Sequence, residues 1–341
     1  MNFFSQRLDK EKKKRVVESI RRVVENEQFI AGPEVAEFER RLTAYFNVPA
    51  ITCNSGTDAL LLGLKALGIG PGDEVITTAF TYFATIEAIA ALGAKPVLVD
   101  IDPETYNIDA TLIEKKITKK TRAVLVVHLY GLACEMAPIV RLCKAHKLKL
   151  VEDCAQSFGA KSGGKLTGTF GDVGCFSFFP TKNLGGFGDG GAVTIRSKAV
   201  AEKFRLLKNH GQPKKYEHAI IGYNSRLDTI QAAVLIEKLS WLDDDLALRK
   251  KTAAAWMKKF EANPNVLGLP TQKNHTYNVF TLLVRDRAAF LKELESEKIP
   301  STIYYDRPVY AQRAYRDLFG THKPLPHSEF AAAHVISLPI H

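Results

Sequence analysis

Residues 121–154 read TRAVLVVHLYGLACEMAPIVRLCKAHKLKLVEDC. The first part, TRAVLVVHLYG, is an apolar run of strand length. APIVRLCKAHK, residues 137–147, reads as a helix. LKLVEDC, residues 148–154, is a second apolar run and closes on two carboxylates, Glu152 and Asp153. Strand, helix and strand at this spacing make a crossover unit of a parallel sheet. The strands are continuous apolar runs, as expected where helices cover both faces.

The same alternation extends outward. GPEVAEFERRLTAYF (32–46), TDALLLGLKALG (57–68), TYFATIEAIAALG (81–93) and DATLIEKKIT (109–118) read as helices, the second ended by Gly68. EVITTAF (74–80) and KPVLVDID (95–102) read as strands. The fold class is therefore α/β with a mostly parallel sheet. After Gly171 the pattern changes: CFSFFP and GGAVTI read as strands joined by a Gly-rich turn, which suits antiparallel pairing. A long helix is expected from about Asp228 to Asn263. Beyond it, strands NVFTLLV and STIYY and a helix RAAFLKELESE suggest a smaller C-terminal α+β domain. The expected division is a large domain over 1–240 and a small one over 241–341.

Composition sets the outer bounds. The chain has 341 residues, 46% of them apolar and 25% charged, which is ordinary for a soluble protein of about two domains. No repeat of fixed period is present. The opening MNFFSQRLDKEKKKRVVESIRR lacks the uncharged core of a signal peptide, and apolar runs such as Ala123–Val127 are too short to span a bilayer. A cytoplasmic protein without membrane contact is expected. Cys53, Cys134, Cys143, Cys154 and Cys175 show no metal-ligand spacing, so reduced thiols and no metal site are expected. The net charge is +10, from 47 basic and 37 acidic residues. That balance suits a nucleic-acid partner, an anionic substrate drawn to a basic cleft, or simply a solvated surface. The Lys-rich segment DKEKKKR sits on an amphipathic helix and has no interleaved aromatics, so nucleic acid is not expected.

Ligands of such sheets sit beyond the carboxyl ends of the strands. Four groups fall at that edge. Asn54-Ser55-Gly56-Thr57-Asp58 opens a helix with small residues, which suits either a phosphate or plain helix capping by Ser55 or Thr57. Glu152-Asp153 ends a strand, where a carboxylate is a loop or capping residue, or the partner of a pyridinium nitrogen. Lys182 lies between an aromatic strand and the Gly-rich run Leu184–Gly191. It is either a surface charge or a partly desolvated, nucleophilic amine. Tyr82 is either a core aromatic or a platform for a flat ring. Taken together they form the inventory of a pyridoxal phosphate site.

NSGTDAL, GPGDEVI, FTYFAT, VEDCAQSFGA, FSFFPTKNLGGFGDGGA and GYNSRLDTIQAAVL resemble, in the same order, motifs of the DegT/DnrJ/EryC1/StrS family of nucleotide-sugar aminotransferases. The resemblance runs from about Phe29 to the C-terminus. It implies the aspartate-aminotransferase fold, with a seven-stranded, mostly parallel sheet, and a homodimer with shared active sites. It implies pyridoxal 5'-phosphate held by Lys182 as a Schiff base, with Asp153 on the pyridine nitrogen and Gln156 near the phenolic oxygen. Tyr82 would stack on the ring. Gly56, Thr57 and Ser177 would hold the phosphate, and Asn224 would reach the phosphate in the other subunit. Arg226 would line the substrate site, where its fork suits a carboxylate. The implied reaction moves an amino group from L-glutamate to a keto sugar.

Within the family, GPEV, ETYNID, SFFPTK, HGQPKKY and NSRLDTIQAA are most similar to the motifs of UDP-2-acetamido-2-deoxy-3-oxo-glucuronate aminotransferases. Such enzymes make precursors of surface polysaccharides. One departure stands out: a His-Tyr pair expected at the sugar reads Tyr304-Tyr305 here. The chain also ends at SLPIH, where members usually run on a little. The same-fold alternative is an aminotransferase for a dTDP- or GDP-linked 3- or 4-keto-6-deoxy sugar. A related dehydratase would carry His in place of Lys182. Outside the class, the charge alone permits a regulatory or nucleic-acid-binding protein.

Overall fold

The structure, a computed structural model, describes residues 8–340. The first seven residues of the opening segment, and His341, lie outside the described residues. The strands are β1 (Ala50–Cys53), β2 (Glu74–Thr78), β3 (Lys95–Val99), β4 (Thr121–Val127), β5 (Lys149–Asp153), β6 (Lys161–Ser162), β7 (Lys165–Leu166), β8 (Val173–Ser177), β9 (Gly191–Ile195), β10 (Val266–Gly268), β11 (Phe280–Val284) and β12 (Val335–Leu338). A seven-stranded sheet runs β1-β9-β8-β5-β4-β2-β3. From β8 to β3 every neighbouring pair is parallel, and β9 runs against both β1 and β8. The α/β class and the antiparallel turn after Gly171 are as expected. Residues 50–53, which lie in the segment VPAITC, form the edge strand β1.

Register decides what meets at the carboxyl edge. Val127 pairs with Asp153, Asp153 with Cys175, Ser177 with Gly191, and Gly191 with Cys53. The ends of β4, β5, β8 and β1 therefore share one edge. Gly191 is required there, since a Cβ on it would lie 2.3 Å from the Ser55 carbonyl oxygen. Leu125, Val127, Val151, Val173 and Val193 are all buried, as strands covered on both faces must be.

Two expectations are corrected. The long helix is two helices, Thr229–Leu239 and Leu242–Phe260. Trp241 leaves helical geometry, at φ −121° and ψ 19°, and buries its ring with Val16 and Val234. The acids Asp243, Asp244 and Asp245 then start a new helix at its electropositive end. STIYY is not a strand: only Thr302 pairs, with Ser337. Tyr304 and Tyr305 line the same cavity, whereas a strand turns consecutive side chains to opposite faces.

The C-terminal part holds the antiparallel sheet β10-β11-β12. It is packed onto the large sheet: Val309, Tyr310 and Tyr315 bury against Ala79, Ile86 and Leu98. Among the described residues no helix is long and apolar enough to cross a membrane.

Candidate active site

A cavity of about 620 Å³ opens at the carboxyl edge of the sheet, between it and the segments 303–312 and 338–340. Its wall brings together Gly56, Thr57, Tyr82, Asp153, Gln156, Ser177, Lys182, Tyr304 and Tyr305. All of these were expected from the sequence.

The floor on one side is the start of the helix Gly56–Ala66. Ser55 caps it by accepting from the Asp58 amide at 3.1 Å, which leaves Gly56 and Thr57 at the cavity with first-turn amides that the helix itself does not use. The capping reading holds for Ser55, and the two free amides leave the phosphate reading open for Gly56 and Thr57. Ser177, at the end of β8, sits against this turn: a Cβ on Gly56 would lie 2.6 Å from the Ser177 Cβ. Only glycine lets the hydroxyl and the helix start share one small cup.

Asp153 is buried at the end of β5. Its carboxylate accepts from the Ala155 amide at 3.1 Å and from the Thr85 hydroxyl at 3.0 Å. Burial raises its pKa, and the two donors and the nearby Lys182 amine oppose that rise. Glu152 points to the other face. It accepts from the Gly168, Phe170 and Gly171 amides and from His128 Nε2. His128 Nδ1 in turn accepts from the Cys134 amide, so Nε2 carries the ring hydrogen. Glu152 is thus an anchor for the 168–171 loop. Of the cluster His128, Glu152 and Cys154, the first two are engaged in these bonds.

Lys182 sits in the turn after β8, where its amide donates to the Phe179 carbonyl. Its neighbour Asn183 is tied to the Phe158 carbonyl and to Thr276. Gly185 lies so close to Pro180 that a Cβ would be 2.5 Å from its carbonyl oxygen. These contacts turn the lysine inward. Desolvation pushes its amine down to about 8, against the pull of the Asp153 carboxylate. Lys182 is therefore a part-buried residue of the cavity wall, not a solvated surface charge, and a lowered amine pKa is what a nucleophilic role requires.

Tyr82 is not a core aromatic. It is 62% exposed and forms a flat wall of the cavity. Gln156 donates to the Tyr305 hydroxyl at 3.0 Å.

Two expected residues lie elsewhere. Asn224 is exposed and pairs through its backbone with Asn209. Arg226 donates to the Asn209 side chain at 3.3 Å, and its Nε is buried without a partner. Neither lines this chain's cavity. Ser225, between them, accepts from the Asn54 amide at 3.2 Å, so the segment flanks the cup from outside.

Sequence reasoning passed over Thr85 and Tyr130. Thr85 lies four residues after Thr81, and the two hydroxyls meet at 3.0 Å, a spacing that one helical turn brings together. Tyr130 gave no signal, because its part is played by its backbone amide and by a contact far along the chain.

A cup for a phosphate, a platform for a flat ring and an amine beside a buried carboxylate are the parts that a pyridoxal phosphate enzyme assembles. The profile of the DegT/DnrJ/EryC1/StrS aminotransferase family matches residues 10–341. The chain belongs to this family, whose members depend on pyridoxal phosphate. It is 41% identical to a UDP-2-acetamido-2-deoxy-3-oxo-D-glucuronate aminotransferase of Pseudomonas aeruginosa, over 96% of this chain and 91% of that one. It is 43% identical to a dTDP-3-amino-3,6-dideoxy-alpha-D-galactopyranose transaminase of Aneurinibacillus thermoaerophilus, over 96% and 90%. A crystal structure of DesV from S. venezuelae superposes with a TM-score of 0.93 at 40% identity, covering 97% of this chain and 90% of that one. The aspartate-aminotransferase-like fold and the aminotransferase class expected from the sequence are thereby borne out. Relatives are named for UDP-, dTDP- and GDP-linked sugars.

Proposed function

We propose that this enzyme transfers the amino group of L-glutamate to the keto carbon of UDP-2-acetamido-2-deoxy-3-oxo-glucuronate, for surface polysaccharide synthesis in the cytoplasm. The observation that carries the transamination chemistry is the desolvated Lys182 amine facing Asp153 beside the Gly56–Ser177 cup. The cup supplies donors that suit a phosphate, since the missing Cβ at Gly56 lets the Ser177 hydroxyl lie against the free amides of the helix start.

Bound pyridoxal phosphate supplies an electron sink for the bond broken at the amino acid's α carbon. The chain's own residues do the rest. The Gly56 and Thr57 amides and the Ser177 hydroxyl would bind its phosphate, Tyr82 would offer a flat surface to its ring, Asp153 would hold a proton at the pyridine nitrogen, and Gln156 would serve the phenolic oxygen. Lys182 would hold the cofactor and carry a proton to and from the amino acid's α carbon. Tyr304 would stand where the sugar enters, and Tyr305 lies beside it on the cavity wall. Two half-reactions on one site give ping-pong kinetics. We keep 1–240 and 241–341 as the working division into domains, with the break at Trp241 as its support.

Asn224 and Arg226 serve, in this reading, the cavity of a second copy in a C2 homodimer. Their outward position beside the cup, and the unpartnered Arg226 Nε, support it. Mixing Lys182→Ala protein with Asn224→Ala protein tests it. Shared sites predict recovered activity on subunit exchange, because half the sites then carry neither defect. Exchange without recovery places Asn224 in its own subunit's site.

The uronate is supported by the net charge of +10, the Arg226 fork and the Pseudomonas relative. The Aneurinibacillus relative is as similar, so a neutral dTDP- or GDP-linked 3- or 4-keto-6-deoxy sugar stands as the second reading. Comparing kcat/KM for the UDP-linked 3-keto uronate and a dTDP-linked 3-keto-6-deoxyhexose decides between them. The uronate is expected to win. Arg226→Lys is expected to impair it by roughly tenfold more than the neutral sugar, the worth of about 1.4 kcal/mol in a lost bidentate contact. A parent that prefers the neutral sugar overturns the uronate assignment.

A further inference from the structure

The side-chain amide of Gln156 has only one possible orientation. The Tyr130 backbone N–H, 2.8 Å away, is a donor, so the atom facing it is the amide oxygen. The amide nitrogen therefore faces Tyr305 and donates to its hydroxyl at 3.0 Å. In that contact the Tyr305 oxygen accepts, and its own hydrogen must point elsewhere. Among the described residues nothing accepts it. The open side of Tyr305 is the cavity, where its ring lies 6.2 Å from Tyr82. Tyr130 holds both members of the pair. Its amide fixes Gln156, and its hydroxyl donates to the Tyr304 carbonyl, next to Tyr305. Tyr130 is buried and so is a rigid clamp.

We propose that Tyr305 serves the cofactor and not the sugar: its hydroxyl donates to the ring oxygen of bound pyridoxal phosphate, with Tyr130 as the positioning residue. This rests on the cofactor reading above. The hydroxyl remains a donor at working pH, because burial pushes its pKa well up, with the Gln156 hydrogen bond opposing. The titratable groups facing it are Asp153 from β5, Tyr82 from the segment before helix Ala84–Ala90, Tyr130 from the segment after β4, and Tyr304 beside it. Lys182, Asp306 and Arg307 line the same cavity. All of them are retained when Tyr305 is changed to Phe.

A donor to an oxyanion favours the ionised form, so removing it raises the pH at which the oxygen titrates. The experiment is a pH titration of the visible absorbance of the holoenzyme without substrate. Tyr305→Phe is expected to raise the midpoint by about one pH unit. Tyr130→Phe, which frees the Tyr304 carbonyl, is expected to raise it by less. An unchanged midpoint in Tyr305→Phe, with a raised KM for the keto sugar, gives the hydroxyl to the sugar and overturns the proposal. A shift in Tyr305→Phe with none in Tyr130→Phe keeps the donor and removes the clamp. A parent protein that forms no titrating band with pyridoxal phosphate overturns the cofactor reading itself, and this inference with it.

Discussion

Lys182→Ala is expected to abolish turnover, with a loss on the order of 10⁴-fold or more in kcat. The position does two things that alanine does not. It offers a partly neutral amine as a nucleophile, since desolvation has brought it down to about 8. In the proposed mechanism it would also place a proton carrier beside the reacting carbon. The fold is expected to survive. The turn is held by the Lys182 backbone amide and by Asn183, not by the lysine side chain. Asp153 keeps the Ala155 amide and the Thr85 hydroxyl as partners. The variant is therefore expected to unfold close to the parent's Tm, to take up pyridoxal phosphate weakly, and to lack the absorbance band of a lysine-linked cofactor. Residual turnover within tenfold of the parent would falsify the role given to Lys182.

Asp153→Asn is expected to bind pyridoxal phosphate and to transaminate on the order of a thousandfold more slowly, a loss of about 4 kcal/mol. The substitution keeps shape. The amide oxygen still accepts from Ala155, and the Thr85 hydroxyl turns to accept where it had donated. What is lost is the negative charge. An amide does not hold a proton on a pyridine nitrogen, so the electron sink weakens while the cup and the platform stay as they were. The measurement is single-turnover reaction with L-glutamate, followed by absorbance, beside an equilibrium titration with the cofactor. Near-parent rates with normal binding place the pyridine partner elsewhere. Poor binding with normal rates at saturation makes Asp153 a structural residue.

The large sheet was legible because its strands are buried on both faces and therefore apolar throughout, as in Thr121–Val127 and Lys149–Asp153. Gly56, Thr57, Tyr82, Asp153 and Lys182 were legible because they stand near strand ends and helix starts, where a side chain departs from the core pattern, whereas Gln156, Ser177, Tyr304 and Tyr305 came from the family resemblance. Local sequence did not reveal the break at Trp241. Helical propensity runs through it, and the indole is buried in part against Val16, more than two hundred residues earlier. STIYY has strand-forming residues, but its two tyrosines are drawn to one cavity wall. Asn224 and Arg226 came from a family motif, and in a single chain they sit outside the cavity. Glu152 and Asp153 are adjacent in sequence and opposite in role, since neighbouring strand residues face opposite sides of a sheet.

The central claim is that pyridoxal phosphate is held covalently by Lys182 in this cavity. Borohydride reduction of the holoenzyme, followed by proteolysis and mass spectrometry, tests it most directly. The account predicts a pyridoxyl phosphate label on the peptide that contains Phe178-Phe179-Pro180-Thr181-Lys182-Asn183, in a yield near one per chain. A label on any other lysine, or no label on a protein that retains its visible band, contradicts it.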